Sequence, residues 1–519
     1  MRDKFFSFSN IFISVLFYLL FALTFYFSLT SVNLTVGDSE YYGMSTTAVT
    51  TGFILTALLL IIVITTFNAI RKFLYFIFWE KGLLTSVCIL LLIVALQIVF
   101  VYLVHPAIGF DVGAIHDALT NTWDPEVRAY YSVNTNNLFI LLLQHGISAI
   151  FNKHSWLLFD FITVLLVDLS AVFNLSTVYI VDKKYIVPAI YIHSLWLLVF
   201  PMIIIPYTDT WVIPFVSGYL LSYCIIAFGK CKNIYKYLAA IIFGICLIIS
   251  YFMKPSAIIP VISIIIVEFL FTFKTKKRTE NKSFLKRFTY LIMLLSTIIS
   301  FWGIGKFVNQ QTYIEVDPSR SIPVLHFMDM GLSNEGGYNP KDALMMGKLP
   351  TKEARIEYSK KNIKKRLQEK GFGGYLVFLI KKHSNNTSDG TFAWQKEGHF
   401  ISHEKQTVKI DSVSSAIKSF LYLYGEHISD YRFIAQVIWL IILSLILFGR
   451  VENLKFKQIL RLGIIGGFLY LLLFEGGRSR YLIQFLPLIL IFASLSSAKA
   501  ISNVKTIFSW KKVIINRKE

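Results

Sequence analysis

Apolar runs long enough to cross a hydrocarbon layer of roughly 30 Å recur along this chain. They fall at about 7–30, 50–70, 82–104, 156–180, 186–206, 211–228, 237–253, 256–273, 288–306, 431–449, 462–474 and 481–498. The runs are continuous and do not alternate with period two, so they read as helices and not as barrel strands. Only 16% of the residues are charged, against roughly 25% in soluble domains. A soluble enzyme, a secreted disulfide module and a disordered scaffold are thereby excluded. The expected fold is an all-α polytopic membrane protein of about twelve transmembrane helices.

The formal net charge of +20 follows from where the bases stand. Lys274, Lys276, Lys277, Arg278, Lys282, Lys286 and Arg287 form one cluster, and Lys505, Lys511, Lys512, Arg517 and Lys518 another. With both termini cytoplasmic, segments 71–81, 183–184, 229–236, 274–287, 450–461 and the tail 501–519 all face inward, as the positive-inside rule requires. Such clusters also attract anionic lipid, so membrane lipid is an expected partner and nucleic acid is not. The start, Met1 to about Thr30, lacks a small-residue cleavage site and reads as a retained span in a plasma-membrane protein. Cys88, Cys224, Cys231 and Cys246 all lie outside the long polar segment, which therefore has no disulfide framework.

Residues 137–151 are apolar but short, and counting them as a span would reverse the charge of every later loop. They are expected to lie along the outer face as an interfacial helix. Five parts result: two leading spans (1–81), a membrane core (82–306) with outer loop 105–135 and the helix 137–151, an outer domain (307–430), closing spans (431–500) and the tail. Within the outer domain, 351–370 reads as a helix closed by Gly371, 372–383 as an amphipathic stretch on the membrane, and 384–400 as a loop.

Candidate chemistry sits mostly outside. The loop after the third span carries Asp111 and Asp117, and a carboxylate at a membrane surface can accept a proton from a hydroxyl as general base. A plain acidic outer loop is the alternative. Lys254, Arg478 and Arg480 fall outside, where the charge rule disfavours bases, and suit the phosphate of a lipid-linked substrate; snorkelling toward ordinary head groups is the alternative. Asp209, in the turn Tyr207-Thr208-Asp209, orients a substrate or caps the next helix, with capping the commoner use. Inside the membrane, Asp160 and Asp168 share a span, which suits either structural pairing or a proton-coupled transporter. No metal-ligand cluster is legible; a divalent metal is possible and not required, and no other cofactor is implied.

Asp111 after a span, Asn134-Thr135-Asn136-Asn137, the amphipathic 137–151 and a span ending Val178-Tyr179-Ile180-Val181-Asp182 together resemble the GT-C superfamily of membrane glycosyltransferases. The likeness is to the protein O-mannosyltransferase-like branch and its Gram-positive bacterial relatives. Where that branch often carries a Pro-Pro pair, this chain has Asn136-Asn137. The turn at Tyr207, Lys254-Pro255, the late Arg478-Ser479-Arg480-Tyr481, and the segments 326–332 and 390–398 add to the resemblance, which covers roughly 82–500 and leaves the two leading spans extra. It implies an inverting transfer of a monosaccharide from a polyprenyl-phosphate donor to an envelope glycan, wall polymer or protein on the outer face. Asp111 would be the base; Arg478, Arg480 and Lys254 would hold the phosphate; Asp117, Tyr207, Asp209 and Tyr481 would orient the substrates. Trp394, with Glu397 beside it, would stack on an acceptor sugar, or else anchor a loop at the bilayer surface. The rival class is a polyprenyl-linked saccharide flippase or transporter using Asp160 and Asp168; it would usually show repeated halves, and none is visible.

Overall fold

In lipid the backbone must satisfy its own hydrogen bonds, so apolar runs of this length become helices. The computed structural model describes residues 2–41, 43–274, 281–394, 401, 409–474 and 476–515. Glu397 and most of the basic cluster at 274–287 lie outside the described residues or have no described side chain, as do the tail bases.

The leading segment holds α1 (Arg2–Leu29), α2 (Ala48–Thr66), a short α3 (Asn68–Tyr75) and α4 (Gly82–Leu103). Outer-loop helices α5 (Phe110–Asp117), α6 (Pro125–Val133) and α7 (Leu138–Phe151) follow. Next come α8 (Trp156–Asp182), α9 (Ile186–Val199), α10 (Thr208–Trp211), α11 (Ile213–Phe228), α12 (Asn233–Met253), α13 (Ile259–Thr272) and α14 (Asn281–Asn309). The polar insert holds α15 (Val324–Met330), α16 (Pro340–Lys348), α17 (Lys352–Thr387) and α18 (Val413–Leu421), before α19 (Ile428–Leu447), α20 (Leu454–Leu473) and α21 (Leu486–Ile515). The strands Asp38–Ser39 and Met44–Ser45 form a small antiparallel pair.

Eleven stretches among the described residues are long and apolar enough to cross a membrane. One of them, Trp156–Val199, has 44 residues, about twice what one crossing needs, and contains both α8 and α9. The fold is thus a predominantly helical multi-pass membrane protein; the span expected from 462 begins instead at Leu454, so most of the basic segment 450–461 is helical. The 14 residues of α7 reach only about 21 Å. Leu138–Leu142 are buried, while Ile150 and Phe151 at its far end are exposed.

Two parts are more deeply joined than the sequence suggests. Helix α1 is not a peripheral addition: Phe17 stacks on Phe492 at 5.3 Å, and Phe17 and Phe21 are buried with the closing spans. The insert also enters the bundle. Gly371, at φ 59°, breaks α17 where the sequence expects a helix to close. The second half turns one face into the bundle and leaves Phe372, Leu376, Val377 and Ile380 exposed on the other. Phe378, Lys382, His383, Asn386 and Thr387 are buried, and His383 Nε2 lies 3.0 Å from Thr24 Oγ1 of α1. Segment 384–400 is not a loop from its start, since α17 runs to Thr387.

Helix α14 is the opposite case, with its apolar window unburied by protein. It docks through a close approach to α12 at Gly244, where a Cβ would stand 2.5 Å from Thr297 N and from Ser296 Oγ. Small residues at such crossings are what let helices meet in lipid. Gly244→Val is expected to cost about 1–3 kcal/mol through overpacking, read as a lowered unfolding midpoint in detergent. An unchanged midpoint would show that this crossing does not hold α14.

Candidate functional site

The outer loop folds around a backbone that bulky residues rarely adopt. Phe110 has φ 56°, a left-handed conformation, at the entry to α5, and its side chain is exposed. The turn sets Asp111 in the first turn of α5. Helix α6 is started by Asp124, whose Oδ1 accepts from Glu126 N at 2.7 Å, with Pro125 as first helical residue. That places Tyr130 against Asp111.

Both oxygens of the Asp111 carboxylate are held. Tyr130 OH donates to Oδ1 at 2.6 Å and Tyr207 OH to Oδ2 at 3.0 Å. Asn137 Nδ2 donates to Tyr130 OH at 2.6 Å, and its Oδ1 lies 3.3 Å from Tyr207 OH. Burial, with the Asp111 charge next, holds both phenols well above their ordinary pKa. They therefore stay protonated donors at any physiological pH. A carboxylate has about four lone-pair sites, so Asp111 retains room for a third donor.

The cations come from two other segments. Lys254 forms a close ion pair with Asp209 and lies 5.1 Å over the ring of Tyr481. Arg480 donates through Nη2 to Tyr481 OH at 3.2 Å, with its guanidinium 4.9 Å over that ring. The charges of Asp111, Asp209 and Arg480 all act on Tyr207. The fold thus gathers Asp111, Tyr207, Asp209, Lys254, Arg480 and Tyr481, which the sequence scatters over some 370 positions (481 − 111). Arg478 opens the same turn as Arg480.

Several expectations are corrected. Asp209 does not cap its helix; the residue at that cap is Tyr207, with no side-chain cap bond, and Asp209 pairs with Lys254 instead. Lys254, expected as a cation free for a phosphate, is instead neutralised by Asp209. Asp117 ends α5 exposed and bonds to none of the Asp111 partners among the described residues. Trp394 neither faces solvent nor anchors to the bilayer surface. It is fully buried, its Nε1 donates to Leu421 O at 2.7 Å, and it is closed in with Phe392, which meets Trp439 and Phe200. Asp160 and Asp168 find no carboxylate-to-base pairing among the described residues. At 100° per residue they stand about 80° apart on α8, Asp160 buried and Asp168 half-buried. Tyr130 and Asn137 are the participants that residue type alone gave no reason to choose; nothing marks Tyr130 off from Tyr131 beside it. Among the described residues no three His, Cys, Asp or Glu side chains gather as a metal site would need.

The turn bearing the arginines is clamped by one face of α17 and the residues after it. Lys382 Nζ donates to Phe474 O at 2.6 Å and to Leu472 O at 3.1 Å. Gly477 N donates to Asn386 Oδ1 at 2.6 Å, and Ser479 Oγ to Asp389 Oδ2 at 3.2 Å. Asp389 also accepts from Thr391 N and Ala393 N, closing a turn in which Phe392 and Ala393 both have positive φ. An isolated bridge, Ile108 with Ile401, ties the insert back to the loop of Asp111.

Compared with known proteins, no curated protein and no solved structure matches this chain. A family described as "Conserved hypothetical integral membrane protein" matches residues 5–501. That match runs from α1 into α21 and takes in the whole Asp111 cluster. The chain belongs to this family of integral membrane proteins.

Proposed function

We propose that the protein is a membrane glycosyltransferase that moves a monosaccharide from a polyprenyl-phosphate donor to an acceptor hydroxyl in the cell envelope. The observation that carries this reading is one carboxylate held by two phenols in the same cluster as an arginine. Asp111 takes the proton of the acceptor hydroxyl, whose oxygen attacks the anomeric carbon. The bond from that carbon to the phosphate oxygen breaks, and its electron pair leaves with the phosphate. Arg480, with Arg478 beside it in the chain, stabilises the charge that develops there. The Asp209–Lys254 pair and Tyr481 set the floor on which Arg480 rests. The resemblance to the GT-C enzymes supplies the donor class, and the charge rule supplies the outer face.

The test is purified full-length protein with a small panel of polyprenyl-phosphate sugars, scored for sugar released from lipid. Release from one member of the panel, dependent on a hydroxyl acceptor, is expected. No release from any would remove the reading. Arg480→Ala is expected to raise the lipid-sugar concentration needed for half-maximal rate by at least about tenfold, the loss of a charge-assisted contact worth roughly 1.5–3 kcal/mol. An unchanged concentration dependence would take Arg480 out of the donor site.

A further inference from the structure

At the opposite, basic end of the bundle, α20 breaks three rules at once. Lys457 and Arg461 stand in its first two turns, near the positive end of the helix dipole, where cations are disfavoured. They are four residues apart, the spacing at which like charges repel. And they do not snorkel outward: Lys457 is 7% exposed and Arg461 5%. Arg450, just before the helix, is close enough for its charge to act on both.

Their surroundings are neutral. Arg461 reaches α1, donating through Nη1 to Ser14 Oγ at 2.7 Å and through Nη2 to Tyr18 OH at 2.9 Å. Its guanidinium lies over the rings of Phe17 and Tyr18, and its Nε is buried with no partner. Among the described residues no carboxylate pairs with Lys457, Arg461 or Arg450. Two acids near them in the chain or paired to a neighbour on α20 are engaged elsewhere, Glu452 with Lys184 and Glu268 with Lys455. Three mutually repelling cations at a helix N-terminus, two of them buried, are a net cost unless an anion joins them.

We propose that Arg450, Lys457 and Arg461 form a binding site for a phosphate group, filled by the headgroup diester of an anionic membrane lipid in the leaflet at the basic end. The depth selects the lipid over a free ion. Lys457 and Arg461 stand about 4.5 and 10.5 Å along the axis from Leu454, within a helix that crosses the membrane. Away from the face that meets Arg461, α1 turns Phe8, Ile11, Phe12 and Val15 outward, each more than half exposed, as a surface for acyl chains of the surrounding lipid. The site is separate from the Asp111 cluster and does not depend on the proposed transfer reaction.

Full-length protein in neutral detergent is titrated with phosphatidylglycerol, phosphatidylcholine or inorganic phosphate, and retained lipid and unfolding midpoint are both read. Retention of phosphatidylglycerol at least about tenfold better than phosphatidylcholine is expected. The Lys457 side chain makes no hydrogen bond among the described residues, so Lys457→Gln tests the site without breaking the fold. It is expected to raise the midpoint in neutral detergent, where it relieves repulsion, and to lower it relative to wild type in phosphatidylglycerol. Lys457→Arg keeps the selectivity. Equal retention of the two lipids, or a Lys457→Gln shift of one sign in both media, overturns the proposal. Displacement of phosphatidylglycerol by an equal concentration of inorganic phosphate overturns the lipid as occupant.

Discussion

Asp111→Asn is expected to slow sugar transfer at least about a hundredfold, the lower edge of what a general base typically contributes. The substitution is nearly isosteric. The amide oxygen still accepts from one of the two phenols, and the other hydroxyl can turn to accept from the amide nitrogen. Membrane insertion and the unfolding midpoint should therefore stay close to wild type, so the loss reports chemistry and not collapse. The measurement is single-turnover release of sugar from its lipid phosphate, with donor saturating. A rate within a few-fold of wild type would dismiss Asp111 as the base. Asp168→Asn separates the rival class: it should leave transfer intact, whereas a proton-coupled transporter relying on that carboxyl would stop.

Lys382→Met carries the largest expected effect on stability. The ammonium is fully buried and donates to Gly331 O, Leu472 O and Phe474 O, at 2.6, 3.1 and 2.6 Å. Two of these carbonyls belong to the end of α20, where the last turn has no intrahelical donors left and the dipole is negative. Methionine fills the space and satisfies none of them. Leaving several buried acceptors unpaired should cost about 3–5 kcal/mol, read as a fall in the unfolding midpoint. The lost clamp should also loosen the turn at 476–480, so donor affinity should fall with it. A variant as stable as wild type would show that the three carbonyls are satisfied without the lysine.

The spans were legible because burial in lipid is decided by runs of residues, a local property. The shortness of 137–151 and the break at Gly371 were legible for the same reason, since length and a residue tolerant of positive φ act where they stand. Asp111 was legible as a candidate because it follows a span directly. Its partners were not, because Tyr207 and Tyr130 reach it only through three separate turns of chain. Asp209 shows the limit most clearly. An acid in the first turn of a helix looks like a cap, and only the packing of α12 against α11 brings Lys254, 45 residues on, close enough to claim it. Trp394 shows the same limit in the other direction. An aromatic in a polar stretch suggests a surface, yet Trp394 is fully buried and its Nε1 is claimed by Leu421 O, 27 residues on.

The seat of α1 bears on how the protein is made. Phe17 rests against Phe492 of α21, and Thr24 meets α17, so α1 finds neighbours among helices synthesised much later. Between Phe17 and Phe492 the ribosome must add 475 residues (492 − 17), which at 5–20 residues per second takes roughly 25–95 s. Throughout that interval α1 waits in lipid with Ser14, Thr24 and Ser28 facing acyl chains or an insertase. A ribosome that stalls before α20 therefore leaves α1 without a berth.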